Sequence, residues 1–212
     1  MDKTKEVRYL TADSLEVRVD DDRPVIEGHA AVFDEEAVIG DYFREVIKPG
    51  AFTRAIKEKQ DVRALWNHDA NHVLGRTKAG TLHLSEDKRG LKIAIDPPDT
   101  QFANDLLTSI KRGDIDQMSF AFRAVEEKWI EKKGEMSLRE LHDLDLYDIS
   151  PVTYPAYAAT DVGLRSSESV YQDHVQSLEG QEPEGDDAKR AEEQELEDAQ
   201  RVVDLIRLQS RQ

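Results

Sequence analysis

The chain has 212 residues, enough for one domain of ordinary size and an appendage, since single domains commonly run to roughly 100–150 residues. It lacks cysteine, which excludes disulfides, thiolate zinc sites and a cysteine nucleophile, and its formal charge of −16 disfavours nucleic acid as a partner. Because no long apolar run occurs, the sequence predicts neither a signal peptide nor a membrane span, and we expect a cytoplasmic protein.

Short runs of alternating polar and apolar residues, separated by turn signals, dominate the chain up to about residue 165. The strands that they predict are 15–19, 25–33, 62–66, 82–84, 91–95, 118–122, 124–130 and 138–144. Turns at 20–22 and 87–90 predict two hairpins, and the strand 62–66 is expected to end at Asn67-His68-Asp69.

Two helices are predicted within the same region. Pro49-Gly50 opens a short one over 51–59. The stronger prediction covers 101–112, where Asp99-Thr100 provides a cap, an apolar stripe follows and Gly113 ends the helix. The pattern therefore predicts an α+β fold with a mainly antiparallel sheet, either open or rolled into a barrel.

A change in composition predicts a domain boundary near residue 165. Residues 166–212 carry 13 acidic residues against 5 Lys and Arg, and Tyr171 is their one aromatic residue. Such a segment cannot build its own core. We expect a main domain at 1–165 and an acidic tail at 166–212, with a linker at 180–185 and a helix at 186–208 whose apolar seam suits docking or self-association.

Three kinds of side chain suited to nucleophilic catalysis lie at or near the ends of predicted strands. Serine becomes a useful nucleophile when a histidine takes its proton and a third group orients that histidine. Ser119 lies on the small-residue face of its strand, opposite Phe120 and Phe122, and His68 lies in a loop. The candidates for the third group are Asp143, Asp145, Asp148 and His142.

Other interpretations of these residues stand beside this one. Ser119 and the acids also fit a solvent-facing strand, and His68 fits an ordinary turn. His68, Asp69 and His72 have the residue types of a metal site, although the i,i+4 spacing of the histidines falls in a loop and not on a helix. Arg123, on the face of Ser119, fits either an oxyanion-binding role or a solvated charge.

A series of motifs over about residues 6–165 resembles the prohead proteases of tailed phages, which are similar to the herpesvirus assembly proteases. The motifs, in order, are GHAAVF (28–33), IKPGAF (47–52), LWNHD (65–69), LGR (74–76), GTL (80–82), GL (90–91), PDT (98–100), MSFAF (118–122) and DISPVTYPA (148–156).

The resemblance implies a mainly antiparallel β-barrel flanked by helices and a serine endopeptidase that needs no cofactor. It implies His68 and Ser119 as catalytic residues, with Asp148 as the third member where the family often has Glu; the herpesvirus relatives use histidine, which keeps His142 as an alternative. The implied partners are the major capsid protein and its scaffold region, cleaved inside the prohead, together with self-cleavage near residue 165 or within 180–185. The alternatives are a scaffold or assembly-chaperone protein without catalysis and a metal-dependent hydrolase.

Overall fold

The computed structural model describes residues 5–11, 15–20, 23–154 and 161–179 and the single residue Gln194. The strands are β1 (Glu6–Thr11), β2 (Glu16–Asp20), β3 (Arg23–Val32), β4 (Ala37–Ile39), β5 (Phe43–Ile47), β6 (Arg63–Trp66), β7 (Asp69–Arg76), β8 (Leu82–Glu86), β9 (Gly90–Ile95), β10 (Gln117–Ile130) and β11 (Leu138–Val152). The helices are α1 (Thr53–Lys57), α2 (Gln101–Arg112) and α3 (Asp161–Glu179), with a single 3-10 turn at Thr77–Ala79. None of the helices in these ranges is long and apolar enough to span a membrane.

The strands form two sheets, and the larger one is organised around the long antiparallel pair of β10 and β11. On the outer side of β10 lies β1, which is antiparallel to it. On its other side, β11 pairs with β5 near its start and with β6 near its end, and both of these strands are parallel to it. Strand β5 pairs in turn with β4, and β6 pairs with β7. The smaller sheet has the order β2-β3-β9-β8 and is antiparallel throughout.

The expected barrel is wrong, because neither sheet closes on itself. Closure requires the two outermost strands of a sheet to pair. In the part of the chain that the structure describes, β1 and β4 instead remain at the edges of the larger sheet, and β2 and β8 at those of the smaller one. Apolar side chains from both sheets, α1 and α2 share one core, so packing of open sheets and helices buries the apolar surface.

The local predictions are largely confirmed. Helix α2 has the predicted bounds, begins after Thr100 and ends at Gly113, whose φ of 78° is accessible to glycine at little cost. Both hairpins form, β2 with β3 and β8 with β9. Helix α1 is shorter than the predicted 51–59.

Helix α3 packs against the larger sheet through aromatic side chains. Tyr171 and His174 are buried, and the His174 ring stacks on Trp129 with centroids 4.1 Å apart. Phe43 lies against both Trp129 and Tyr171. The predicted boundary at residue 165 thus falls inside a helix, whereas the predicted tail helix at 186–208 lies outside the described residues, apart from Gln194.

Beneath β1 lies a network of charged residues, which we call the ion network: the buried Glu6, Arg8, Glu45 and Arg139, and the partly exposed Glu127. Arg139 is 2% exposed at its side chain and donates to both oxygens of Glu6, at 2.7 and 2.9 Å, and to Glu45 at 2.9 Å. Arg8 donates to Glu45 at 2.5 and 2.9 Å and to Glu6 at 2.6 Å. Burial opposes the charge of Glu6, but Arg8 and Arg139 outweigh it and lower the pKa of Glu6. The ion network joins β1 to β5 and β11.

Candidate active site

Ser119 and Asp148 lie on the same face of the larger sheet, on the neighbouring strands β10 and β11. Ser119 is directly opposite Ser150, and Ala121 is directly opposite Asp148. Side chains of opposed residues point to the same face, so Ser119, Ser150 and Asp148 converge. Phe120 and Ile149, one residue along each strand, point into the core.

A one-residue bulge at Tyr147 gives Asp148 this direction. Phe122 pairs with Leu146 and Ala121 with Asp148, so Tyr147 is the extra residue of β11. Leu146 before the bulge and Ile149 after it are both buried in the core, although they are three positions apart. Without the bulge, strict alternation would place Asp148 on the core face with Leu146.

His68 reaches this face from the tight turn that joins β6 to β7. Trp66 pairs with Asp69, so Asn67 and His68 form the turn, with φ of 54° and 57°. Positive φ at both central residues is the signature of the type I′ turn, and Asn and His tolerate it better than most residues. Because β6 runs parallel to β11 beside Asp148, the turn emerges next to the end of β11.

The turn is fastened to β11 by hydrogen bonds. The Asn67 N–H donates to the Pro151 carbonyl at 3.0 Å, and the Thr153 N–H donates to the Asn67 side-chain oxygen at 2.9 Å. The His68 N–H donates to the Ser150 hydroxyl at 3.2 Å. These contacts offset the strain of a non-glycine turn.

The three predicted residues form one hydrogen-bonded series. His68 Nε2 is 2.5 Å from Ser119 Oγ, and His68 Nδ1 makes a hydrogen bond to Asp148 Oδ1. An ionised carboxylate accepts only, so Nδ1 carries the proton and Nε2 is left free to accept the serine proton. This is the order of donors and acceptors that activates a serine.

Strand β1 lies next to Ser119 and contacts its hydroxyl. Ser119 has no exposed surface, and its hydroxyl is also 2.9 Å from the backbone carbonyl of Arg8. One hydroxyl proton serves one strong acceptor at a time, so Arg8 and His68 compete for it.

Asp148 is kept ionised in spite of its burial. It is 5% exposed, and burial alone would raise its pKa. Hydrogen bonds and charge from His68 and from Lys5, whose Nζ lies 3.1 Å from Oδ2, outweigh burial and hold the pKa of Asp148 below its ordinary value. The negative carboxylate suits the stabilisation of a positive imidazolium.

The other candidates for the third position lie elsewhere. His142 is 3.1 Å from Glu140 and is not part of the series. Asp143 and Asp145 accept hydrogen bonds from Arg54 at 2.7 and 2.6 Å. Arg123, considered as an oxyanion donor, makes an ion pair with Asp145 at 2.6 Å.

The geometry of the histidine loop also bears on the metal alternative. Both ring nitrogens of His68 are engaged, by Ser119 and Asp148, while His72 Nδ1 lies 2.8 Å from Asp69. The described ranges contain no group of three side chains able to hold a metal ion. His68 is thus oriented toward the serine and not toward His72.

Two contributors escaped the sequence prediction, and each left a signal there. Asn67 precedes His68 in a two-residue turn, where Asn is a preferred first residue of type I′. The buried leucines at 144 and 146 fall on even numbers, whereas Ile149 is odd, and this break in alternation marks the bulge that directs Asp148 and Ser150.

A serine, an imidazole and a carboxylate in one hydrogen-bonded series on an α+β fold constitute an arrangement of the serine hydrolase type. A family model described as caudovirus prohead serine protease matches residues 13–174. The chain belongs to that family, as the sequence motifs indicated. Among solved structures, the bacteriophage T4 capsid assembly protease gp21 is similar, with a TM-score of 0.49 and 10% identity, covering 73% of this chain and 100% of that chain. No curated protein matches the sequence.

Proposed function

We propose that this protein is a serine endopeptidase of prohead maturation with Ser119, His68 and Asp148 as its catalytic residues. The observation that carries the proposal is the series of hydrogen bonds from Ser119 through His68 to Asp148. Membership of the caudovirus prohead serine protease family supports the reaction class.

In this mechanism His68 Nε2 accepts the Ser119 proton as Oγ attacks a peptide carbonyl. The tetrahedral intermediate collapses to an acyl-enzyme, and the imidazolium gives its proton to the leaving amine. Water then attacks the ester carbonyl, His68 takes its proton, and Ser119 regains its own. Asp148 keeps Nδ1 protonated throughout and stabilises the imidazolium without taking the proton.

The proposed substrates are the scaffold region of the major capsid protein and the enzyme itself, and the proposed place of action is the prohead interior. The family description supports a role in the prohead. In this proposal the acidic tail docks on capsid or scaffold protein, or associates with a second copy, and self-cleavage then releases the enzyme.

Helix α3 favours one of the two sites considered for that cut. Residue 165 lies within α3, which would have to unwind, because a protease active site takes an extended peptide. Residues 180–185, with glycine at both ends, follow the helix.

We expect truncation after residue 179 to spare peptide cleavage and impair incorporation into capsids. Truncation after 165 additionally removes Tyr171 and His174 from Trp129 and should destabilise the domain. Equal incorporation without residues 180–212 would refute the docking role.

The decisive experiment is co-expression with the capsid protein, followed by intact-mass spectrometry of both proteins. The Ser119→Ala variant is expected to lower the processing rate by several powers of ten, on the order of 10⁶-fold, since the nucleophile is lost. Ser85→Ala is the matched control, because Ser85 is an exposed strand serine in the other sheet and should have no effect. Unchanged processing by Ser119→Ala would leave an assembly role without catalysis.

A further inference from the structure

Ser150 occupies a buried position in β11, at which a hydroxyl lowers stability unless it makes hydrogen bonds. Its side chain has no exposed surface, and it faces Ser119 across the β10–β11 pair. A buried hydroxyl without a hydrogen-bond partner destabilises the fold, because it has lost its hydrogen bonds to water. Its contacts should therefore account for its presence.

The hydroxyl of Ser150 touches the backbone and both side chains of the His68–Asp148 pair. It accepts the His68 N–H at 3.2 Å, and its oxygen lies 3.4 Å from His68 Nδ1 and 3.5 Å from Asp148 Oδ1. A hydroxyl has one proton to give and two lone pairs. Accepting from the His68 backbone and donating to Asp148 uses these without competing for the Nδ1 proton.

His68 is a residue that needs such support. Its φ of 57° is strained for a residue with a Cβ. The hairpin that carries it, β6 and β7, is joined to the larger sheet through β6. Asn67 fixes the first residue of the turn through Pro151 and Thr153. Ser150 holds the backbone of His68 itself.

We propose that Ser150 is a positioning residue, which holds the backbone of His68 so that its imidazole bridges Ser119 and Asp148. The inference rests on the proposed function, because it assigns Ser150 a role in the same hydrolysis. Ser150 acts through His68 and does not touch substrate. Since a displacement of about 1 Å at a reacting group costs on the order of 100-fold in rate, loss of this hydroxyl should slow the reaction about 10- to 100-fold.

The test compares two variants of nearly equal shape, Ser150→Thr and Ser150→Val, with Ser150→Ala as a third. Thr keeps the hydroxyl and should retain capsid-protein processing within about threefold of wild type, whereas Val and Ala should lose about 10- to 100-fold. Thr and Val add the same bulk to the packed strand, so their difference reports the hydroxyl even where Ala folds poorly. Equal rates for Thr and Val would overturn the proposal.

A second measurement is independent of proteolysis and reports the position of the imidazole. In the Ser119→Ala background, which prevents self-cleavage, the low-field proton resonance of His68 Nδ1–H should be present with Ser or Thr at 150. With Val or Ala it should broaden or shift toward the position of a solvent-exposed imidazole. An unchanged resonance would overturn the role of Ser150. Failure of the proposed function is distinguished by unchanged processing in Ser119→Ala itself.

Discussion

Replacement of Arg139 by Met is the sharpest test of how β1 is held. Arg139 and Arg8 carry two positive charges against the carboxylates of Glu6, Glu45 and Glu127. Met fills much of the same volume but leaves Arg8 to neutralise the carboxylates. Glu6 and Glu45 are 2% and 4% exposed at their side chains, so water cannot replace the lost partner.

Removal of one partner of a buried ion pair costs about 3–5 kcal/mol. We expect the lower end, about 3 kcal/mol, because Glu6 and Glu45 each keep a hydrogen bond from Arg8 and Glu127 is 21% exposed. This is a large fraction of the roughly 5–15 kcal/mol that stabilises a typical domain.

The loss should also depend on pH, with a definite sign. Glu6 has a lowered pKa in the native protein, so its contribution to stability is present above the pKa of the unfolded chain and is lost as pH falls. In Arg139→Met the effect of burial on Glu6 is less opposed and its pKa rises. If it rises above the unfolded value, stability is instead lost as pH rises. The cost should therefore be greater at about pH 7.5 than at about pH 4.5.

The assay is equilibrium urea unfolding followed by circular dichroism, in the Ser119→Ala background to avoid self-cleavage. Arg112→Met is the matched control: Arg112 is 71% exposed and pairs with Asp114, so its loss should cost less than about 0.5 kcal/mol. Adding Glu6→Gln to Arg139→Met should recover part of the stability by removing one uncompensated charge. A loss below about 1 kcal/mol that is the same at both pH values would refute the reasoning.

Two further predictions concern the acidic residues of β11. Asp148→Asn should lower kcat by about 10⁴-fold, because Asn cannot hold the Nδ1–H tautomer of His68, whereas His142→Ala should leave processing unchanged; the reverse order of severity would move the third catalytic role to His142. Burial opposes ionisation of Asp145, but hydrogen bonds from Arg123, Arg54 and Gln60 lower its pKa to about 2. Its stabilisation is thus present above the unfolded pKa and lost as pH falls toward 2. Asp145→Asn should reduce the loss of unfolding free energy between about pH 5 and pH 2 by on the order of 1 kcal/mol, allowing for solvent screening. A pH slope equal to that of wild type in urea unfolding would contradict this.

The elements that could be predicted from sequence are those specified by neighbouring residues. Helix α2 has an apolar stripe and a glycine just after its last residue, and each of the two hairpins has turn residues between its strands. The parallel pairing of β6 with β11 joins Arg63 to Asp148, and no local signal specifies it. It is this pairing that brings the His68 turn to β11.

Strand β1 could not be predicted from the sequence for a different reason. Its inward positions are Glu6 and Arg8, charged residues that the alternation rule assigns to solvent. They are buried because Glu45 and Arg139 satisfy them, and these partners lie far away in sequence. His68, Ser119 and Asp148 could be named from residue chemistry and motifs, but Ser150 acquires its proposed role only from three-dimensional contacts.

At the bulge at Tyr147, the alternation of core-facing and site-facing side chains along β11 shifts by one residue. Leu144 and Leu146, at even numbers, face the core before the bulge, and Ile149, at an odd number, does so after it. Deletion of Tyr147 would remove the extra residue and leave Asp148 and Ile149 on their present faces. If β11 instead kept Tyr147 but ran as a regular strand, the faces of Asp148 and Ile149 would be exchanged and the acid would be buried among apolar side chains, although every residue of the hydrogen-bonded series would still be in the sequence. The arrangement around His68 therefore depends on the bulged backbone of this strand as well as on the identity of its side chains.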